Sequence, residues 1–151
     1  MRNLILLAGF LGAILLGGVW VLSEQTEQAV FDPMAPPDTS NIPDGAPIVN
    51  VKLPAELSEN AKIGKLAFEG VCAACHGTNA AGQNGVAPPL IHNTYRPGHH
   101  GEGAFLSAAQ NGVRSHHWAF GDMPPLEGLT TADVKYIVTY IRELQRENGI
   151  N

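Results

Sequence analysis

Cys72-Ala73-Ala74-Cys75-His76 constrains this chain more than anything else in it. Two thiols three residues apart on one turn of helix can each add across a haem vinyl group. The histidine directly after the second cysteine then reaches the iron from below the porphyrin plane. A dithiol redox pair is the competing chemistry, but it would need a βαβ pattern around it, and none is visible. Both cysteines of the chain lie in the motif, so no disulfide framework is available. The formal charge of −5 argues against a nucleic-acid partner.

Residues 4–22 form an uncharged apolar run. At helical rise it would be about 28 Å long, close to the thickness of a bilayer's hydrocarbon core. No small-residue cleavage site follows it, and no cysteine that a lipid could modify. Residues 1–22 are therefore expected to be an uncleaved transmembrane anchor. Arg2 is the only basic residue beside the run, which places the N-terminus in the cytoplasm and the remainder outside.

Residues 23–54 carry Glu24, Glu27, Asp32, Asp38 and Asp44 among six prolines, Pro33 to Pro54. Such a stretch buries too little apolar surface to offset its ordering entropy, so an extended or disordered tether is expected. An alternative is that 48–51, Ile-Val-Asn-Val, lies as a strand along the domain. The folded haem domain is expected over 55–151.

Within it, residues 58–70 read as a helix N-capped by Ser58, with Ile63, Leu66, Ala67 and Val71 as a partial apolar stripe. Gly64 inside that helix costs roughly 1 kcal/mol against alanine, which a closely crossing helix would explain. The run Gly64…Phe68…Cys72-Ala-Ala-Cys75-His76 resembles class I cytochrome c, and the likeness covers about residues 57–147. It implies an all-α cytochrome c fold, with first and last helices crossing, a short middle helix and one enclosed, covalent haem c. It also implies that Tyr140 on the last helix meets Gly64 and Phe68.

The glycine-rich residues 77–87 are expected to be loop. Pro88, twelve residues after His76, matches the family's proline whose carbonyl accepts the imidazole proton, and Leu90 matches a leucine packed on the haem face. Residues 103–111 read as a short helix ended by Gly112. Met1 and Met34 lie outside the domain, which leaves Met123 as the thioether for the sixth iron position. Pro124 and Pro125 would hold it extended, and the likeness to bacterial members with a Met-Pro loop agrees. The bland alternative is a methionine that merely fills space. Residues 130–147 are the clearest helix: Thr130 and Asp133 approximate a capping box, and Val134, Ile137, Val138, Ile141 and Leu144 form a stripe.

Five further histidines, His92, His99, His100, His116 and His117, exceed what an electron carrier needs. They suit a copper or other transition-metal site, a pH-sensitive docking surface, or hydrogen bonds to haem propionates together with Arg114. The bland version is favoured, since sequence-adjacent histidines point in different directions.

The expected function is one-electron transfer, not catalysis, by a His76/Met123-ligated haem anchored to the bacterial cytoplasmic membrane and facing the periplasm. The chain could be a subunit of a larger oxidoreductase. Its partners would be a membrane oxidase, reductase or dehydrogenase, with no small-molecule substrate. A small haem enzyme or gas sensor, and a metal-handling or redox-sensing haem protein, are the alternatives.

Overall fold

The computed structural model describes residues 32–151, which form one compact unit. The anchor expected at 1–22 and the first part of the tether lie outside the described residues. Among those described, no helix is long and apolar enough to cross a membrane.

Among the described residues, four α-helices carry the fold. They are α1 (Glu59–Val71), the single turn α2 (Ala73–His76), α3 (Glu102–Asn111) and α4 (Thr131–Glu147). Short 3-10 turns occupy Thr78–Ala80 and Asn93–Tyr95. There is no strand among the described residues, only two single antiparallel bridges, Gln83 with Ala87 and Val113 with Met123.

Ser58 caps α1 as expected: its Oγ accepts from the Ala61 N–H at 3.2 Å. The cap itself is held from across the fold, because the Ser58 hydroxyl donates to Glu143 at 2.6 Å. The apolar stripe expected on α1 is not the face that packs. Ile63 and Leu66 are exposed, Leu66 by 72%, Val71 faces the cavity described below, and Ala61, Gly64 and Phe68 are buried. At Gly64 the packing face takes no side chain because α4 approaches too closely there, and Phe68 fills the space one turn on.

That approach is a backbone contact. A Cβ on Gly64 would lie 1.8 Å from the Tyr136 carbonyl oxygen. One turn further along, Phe68 and Tyr140 meet with ring centroids 5.7 Å apart, tilted by 57°. Tyr140 is fully buried, and its hydroxyl donates to Asn79 Oδ1 at 3.2 Å.

On α4 the expected stripe is the buried one, Val134, Ile137, Val138, Ile141 and Leu144. The capping box forms in both directions, Thr130 N–H to Asp133 at 2.9 Å and Asp133 N–H to Thr130 at 3.2 Å. Residues Ala109, Val134 and Val138 join α3 to the same helix.

Residues 32–54 depart from the expected tether. They lie against the domain, and the compact unit begins at Asp32 rather than at residue 55. The Ile48 N–H donates to Ala81 O at 3.1 Å, Asn84 Nδ2 donates to Ile42 O at 2.7 Å, and Thr94 Oγ1 donates to Met34 O at 3.0 Å. Lys52 and Asn148 exchange two bonds, each 2.9 Å. Ile48 is buried, yet 48–51 builds no strand. Composition misled here because it counts what the segment can bury by itself. The domain supplies the missing partners, and Asp32 and Asp38 close their own turns on Met34 and Ser40.

Candidate functional site

The cysteine-histidine motif straddles the end of α1 and the turn α2. The Cys72 N–H donates to Phe68 O at 2.8 Å and the His76 N–H to Cys72 O at 2.9 Å, so one continuous helical path carries all three side chains. Gln83 fastens α2 from the following loop, its Nε2 donating to Ala74 O at 2.8 Å and to Ala73 O at 3.2 Å. Nothing in the sequence distinguished Gln83 from an ordinary loop residue.

His76 Nδ1 lies 2.9 Å from Pro88 O. A carbonyl only accepts, so Nδ1 carries the proton and Nε2 keeps the free lone pair. Burial lowers the His76 pKa, against a smaller opposing effect of the Pro88 bond, which keeps the ring a neutral ligand. The likeness had implied this bond.

Cys72, Cys75, His76, Pro88, Leu90 and Met123 all line one cavity of about 600 Å³, closed by Phe105 from α3 and by Val134, Ile137 and Ile141 from α4. That size is within the range of cofactor sites. A second depression, of about 690 Å³ between residues 53–57 and α1, holds no cysteine, histidine or methionine. As a free thiol Cys72 is pushed up to about 11 by burial and then by Cys75. Redox dithiols go the other way, since their chemistry needs a thiolate at neutral pH.

Met123 stands at the exit of a loop closed on itself. Its N–H and C=O both pair with Val113, each bond 2.9 Å, and the Ser115 N–H donates to Asp122 Oδ1 at 2.8 Å. Gly112, at φ +73°, is where that loop turns; a Cβ there would lie 2.5 Å from Met123 O. The side chain of Met123 is half-buried.

The cytochrome c family model matches residues 61–145. The chain belongs to the cytochrome c family. Its cofactor is a covalently bound haem c, and its activity is haem-based electron transfer. Comparison with curated proteins and with solved structures gave no match. The donor set of this cytochrome fits that cofactor without exception: two thiols for the vinyl groups, an oriented imidazole and an apolar wall, with a thioether beside them.

Two residues that the sequence did not mark hold the far side of the pocket. Gln145 is fully buried and donates to Leu90 O at 2.8 Å and Tyr95 O at 3.0 Å. Arg142 donates to Tyr95 O at 2.6 Å and also to His100 O, while its guanidinium lies 5.1 Å from the centre of the Phe105 ring. Both project from α4: helical spacing puts Gln145 on the buried stripe, four residues after Ile141, and Arg142 at its edge, four after Val138, but spacing does not say which backbone carbonyls they meet.

The extra histidines divide. His92 caps the turn Asn93–Tyr95 through Thr94 N–H, at 3.2 Å. His100, His116 and His117 line the haem cavity. His99 is exposed and its Nε2 lies 3.3 Å from that of His117. The expectation that neighbours in sequence cannot share a site fails for His99 and His100. They lie on a tight turn, where the N–H groups of both donate to Arg96 O, and the alternation argument holds only for extended chain.

Proposed function

We propose that this cytochrome is a non-enzymatic one-electron carrier whose iron is held by His76 and Met123. We further propose that residues 1–22 anchor it in the cytoplasmic membrane, with the haem domain in the periplasm. Its partners would be redox proteins of that membrane, an oxidase, a reductase or a dehydrogenase.

The observation that carries the ligand set is the His76–Pro88 bond, which turns the free imidazole nitrogen toward a cavity whose wall includes Met123. When bound, the haem supplies the reversible iron couple. The chain's own residues then act as a rigid mount. Cys72 and Cys75 fix the cofactor's edge, and Pro88 fixes the tilt of the imidazole and raises its basicity. The Val113–Met123 bridge holds the thioether's backbone against drift. Ile137, Ile141 and Leu90 exclude water, so little around the haem needs to reorganise when an electron passes. A thioether in the sixth position raises the potential relative to a second imidazole.

Because residues 32–54 lie on the haem domain, they add no reach to a tether. Any gain in encounter frequency with membrane partners would come from residues 1–31. The test of the ligand set is the ferric spectrum of the holoprotein. Methionine-ligated low-spin iron gives a weak charge-transfer band at the red edge of the visible range, and its absence would favour an enzyme or gas sensor with an open iron position.

A further inference from the structure

Three imidazoles from two loops converge where the haem cavity meets the surface. His99 and His100 come from the turn after Pro97-Gly98, and His117 from the loop that ends at Met123. One ring nitrogen from each lies within 4.8 Å of the others. The His99 Nε2 to His117 Nε2 separation is 3.3 Å. Two nitrogens bound tetrahedrally to one zinc at its usual bond length would be about 3.3 Å apart.

The tautomers suit the same purpose. His100 Nδ1 lies 2.7 Å from Thr94 O, so that nitrogen is the donor and Nε2 is left with its lone pair. This is the device that orients His76 on Pro88, and it is how metal-ligating histidines are usually held from behind. Arg142 secures the carbonyl of His100, so the turn is fixed before any ligand arrives. Burial, and then the neighbouring histidines, lower the pKa of His117; burial is also the largest cause for His100.

We propose that His99, His100 and His117 bind one late first-row divalent ion, of the zinc or copper(II) class, with a fourth position open to water or a small ligand. Neutral imidazoles without a carboxylate in the group select such ions over calcium or magnesium. His116 lies tilted against His117, with ring centroids 4.3 Å apart, but does not belong to the converging set. The ion would clip the 96–100 turn to the 113–123 loop, and so brace the loop that carries Met123. This inference goes beyond electron carriage and does not depend on Met123 being an iron ligand.

The test is calorimetric titration of the full-chain holoprotein, first stripped with a chelator, using zinc chloride as probe. Zinc K-edge absorption, which does not see the haem iron, then reads the ligands. One equivalent of zinc should bind in the micromolar range or tighter, with about three nitrogen ligands near 2.0 Å. His99→Ala and His117→Gln should each weaken binding by roughly tenfold or more. His99 is exposed, so replacing it does not open the core. Binding only at millimolar zinc, an edge spectrum without nitrogen ligands, or affinity unchanged in both variants would overturn the proposal. None of these results bears on the haem's own ligands, which the ferric spectrum reads separately.

Discussion

The carbonyl oxygen of Tyr136 occupies the place where a side chain on Gly64 would begin, 1.8 Å from an ideal Cβ. The obstacle is backbone on a packed helix, so it cannot swing aside as a side chain could. Helix propensity alone favours replacing Gly64, by up to about 1 kcal/mol. Overpacking typically costs about 1–3 kcal/mol and opposes that gain. Gly64→Val should therefore lower the denaturation midpoint and the yield of holoprotein. A variant as stable as the parent would mean that α1 and α4 do not cross at this residue.

Tyr140 supplies a pH test of the same interface. Burial pushes its phenol up to about 12 from an ordinary value of 10.0, with a smaller contribution from Glu69. In that window the folded chain holds a proton that the unfolded chain has released, so stability falls as pH rises from 10.0 towards 12. Tyr140→Phe removes the ionisation along with the bond to Asn79. At neutral pH the variant should be the weaker protein, by about 0.5–1.5 kcal/mol. Above pH 10 the difference should shrink or reverse. Denaturant midpoints of both proteins across that range check this, and a constant difference would refute it.

Gln145→Leu keeps the volume and removes the donor. Leu90 O and Tyr95 O would then lose the donor that Gln145 supplies, a cost of about 1–3 kcal/mol. Leu90 lies on the haem cavity wall, so the loss should also shift the haem's visible spectrum. Equilibrium unfolding monitored at the Soret band reads both effects together, and a variant unchanged in both would mean that Gln145 is not part of the pocket's frame.

The sequence carried the haem motif, both long helices and the glycine crossing because each is a local rule with one outcome. C-x-x-C-H has a fixed chemistry, a capping box has a fixed partner, and a glycine amid helix formers asks for a reason. The apolar stripe of α1 points elsewhere: hydrophobicity favours Ile63 and Leu66, which are exposed, whereas the packed face is Ala61, Gly64 and Phe68, of which Gly64 and Phe68 are legible as a close crossing. Gln83, Arg142 and Gln145 were invisible for another reason. Their partners are backbone carbonyls of distant residues, and a carbonyl has no signature in sequence. The histidine cluster was legible as composition but not as geometry, since two loops far apart in the chain must meet to build it.

The anchor reading makes a prediction about covalent structure. The mature chain should retain residues 1–22, because the apolar run is followed by no small-residue cleavage site. Intact mass and N-terminal sequencing of the native protein check this. A mature start between residues 23 and 31 would replace the anchor with a removed signal.

Met123→Ala tests the iron ligand without disturbing its mount. The bonds that close the loop run from the backbone of Met123 to the backbone of Val113, and alanine keeps them. Cys72 and Cys75 would still hold the haem, so covalent attachment should survive. What is lost is the thioether, and with it the strong-field sixth ligand. The iron should become high-spin, or be captured by water or by one of the histidines lining the cavity, and the reduction potential should fall. Capture by histidine would leave the iron low-spin, so the spin state alone does not decide the matter; the potential and the red-edge band do. If both stay as in the parent, Met123 fills space beside the haem and the sixth ligand lies elsewhere.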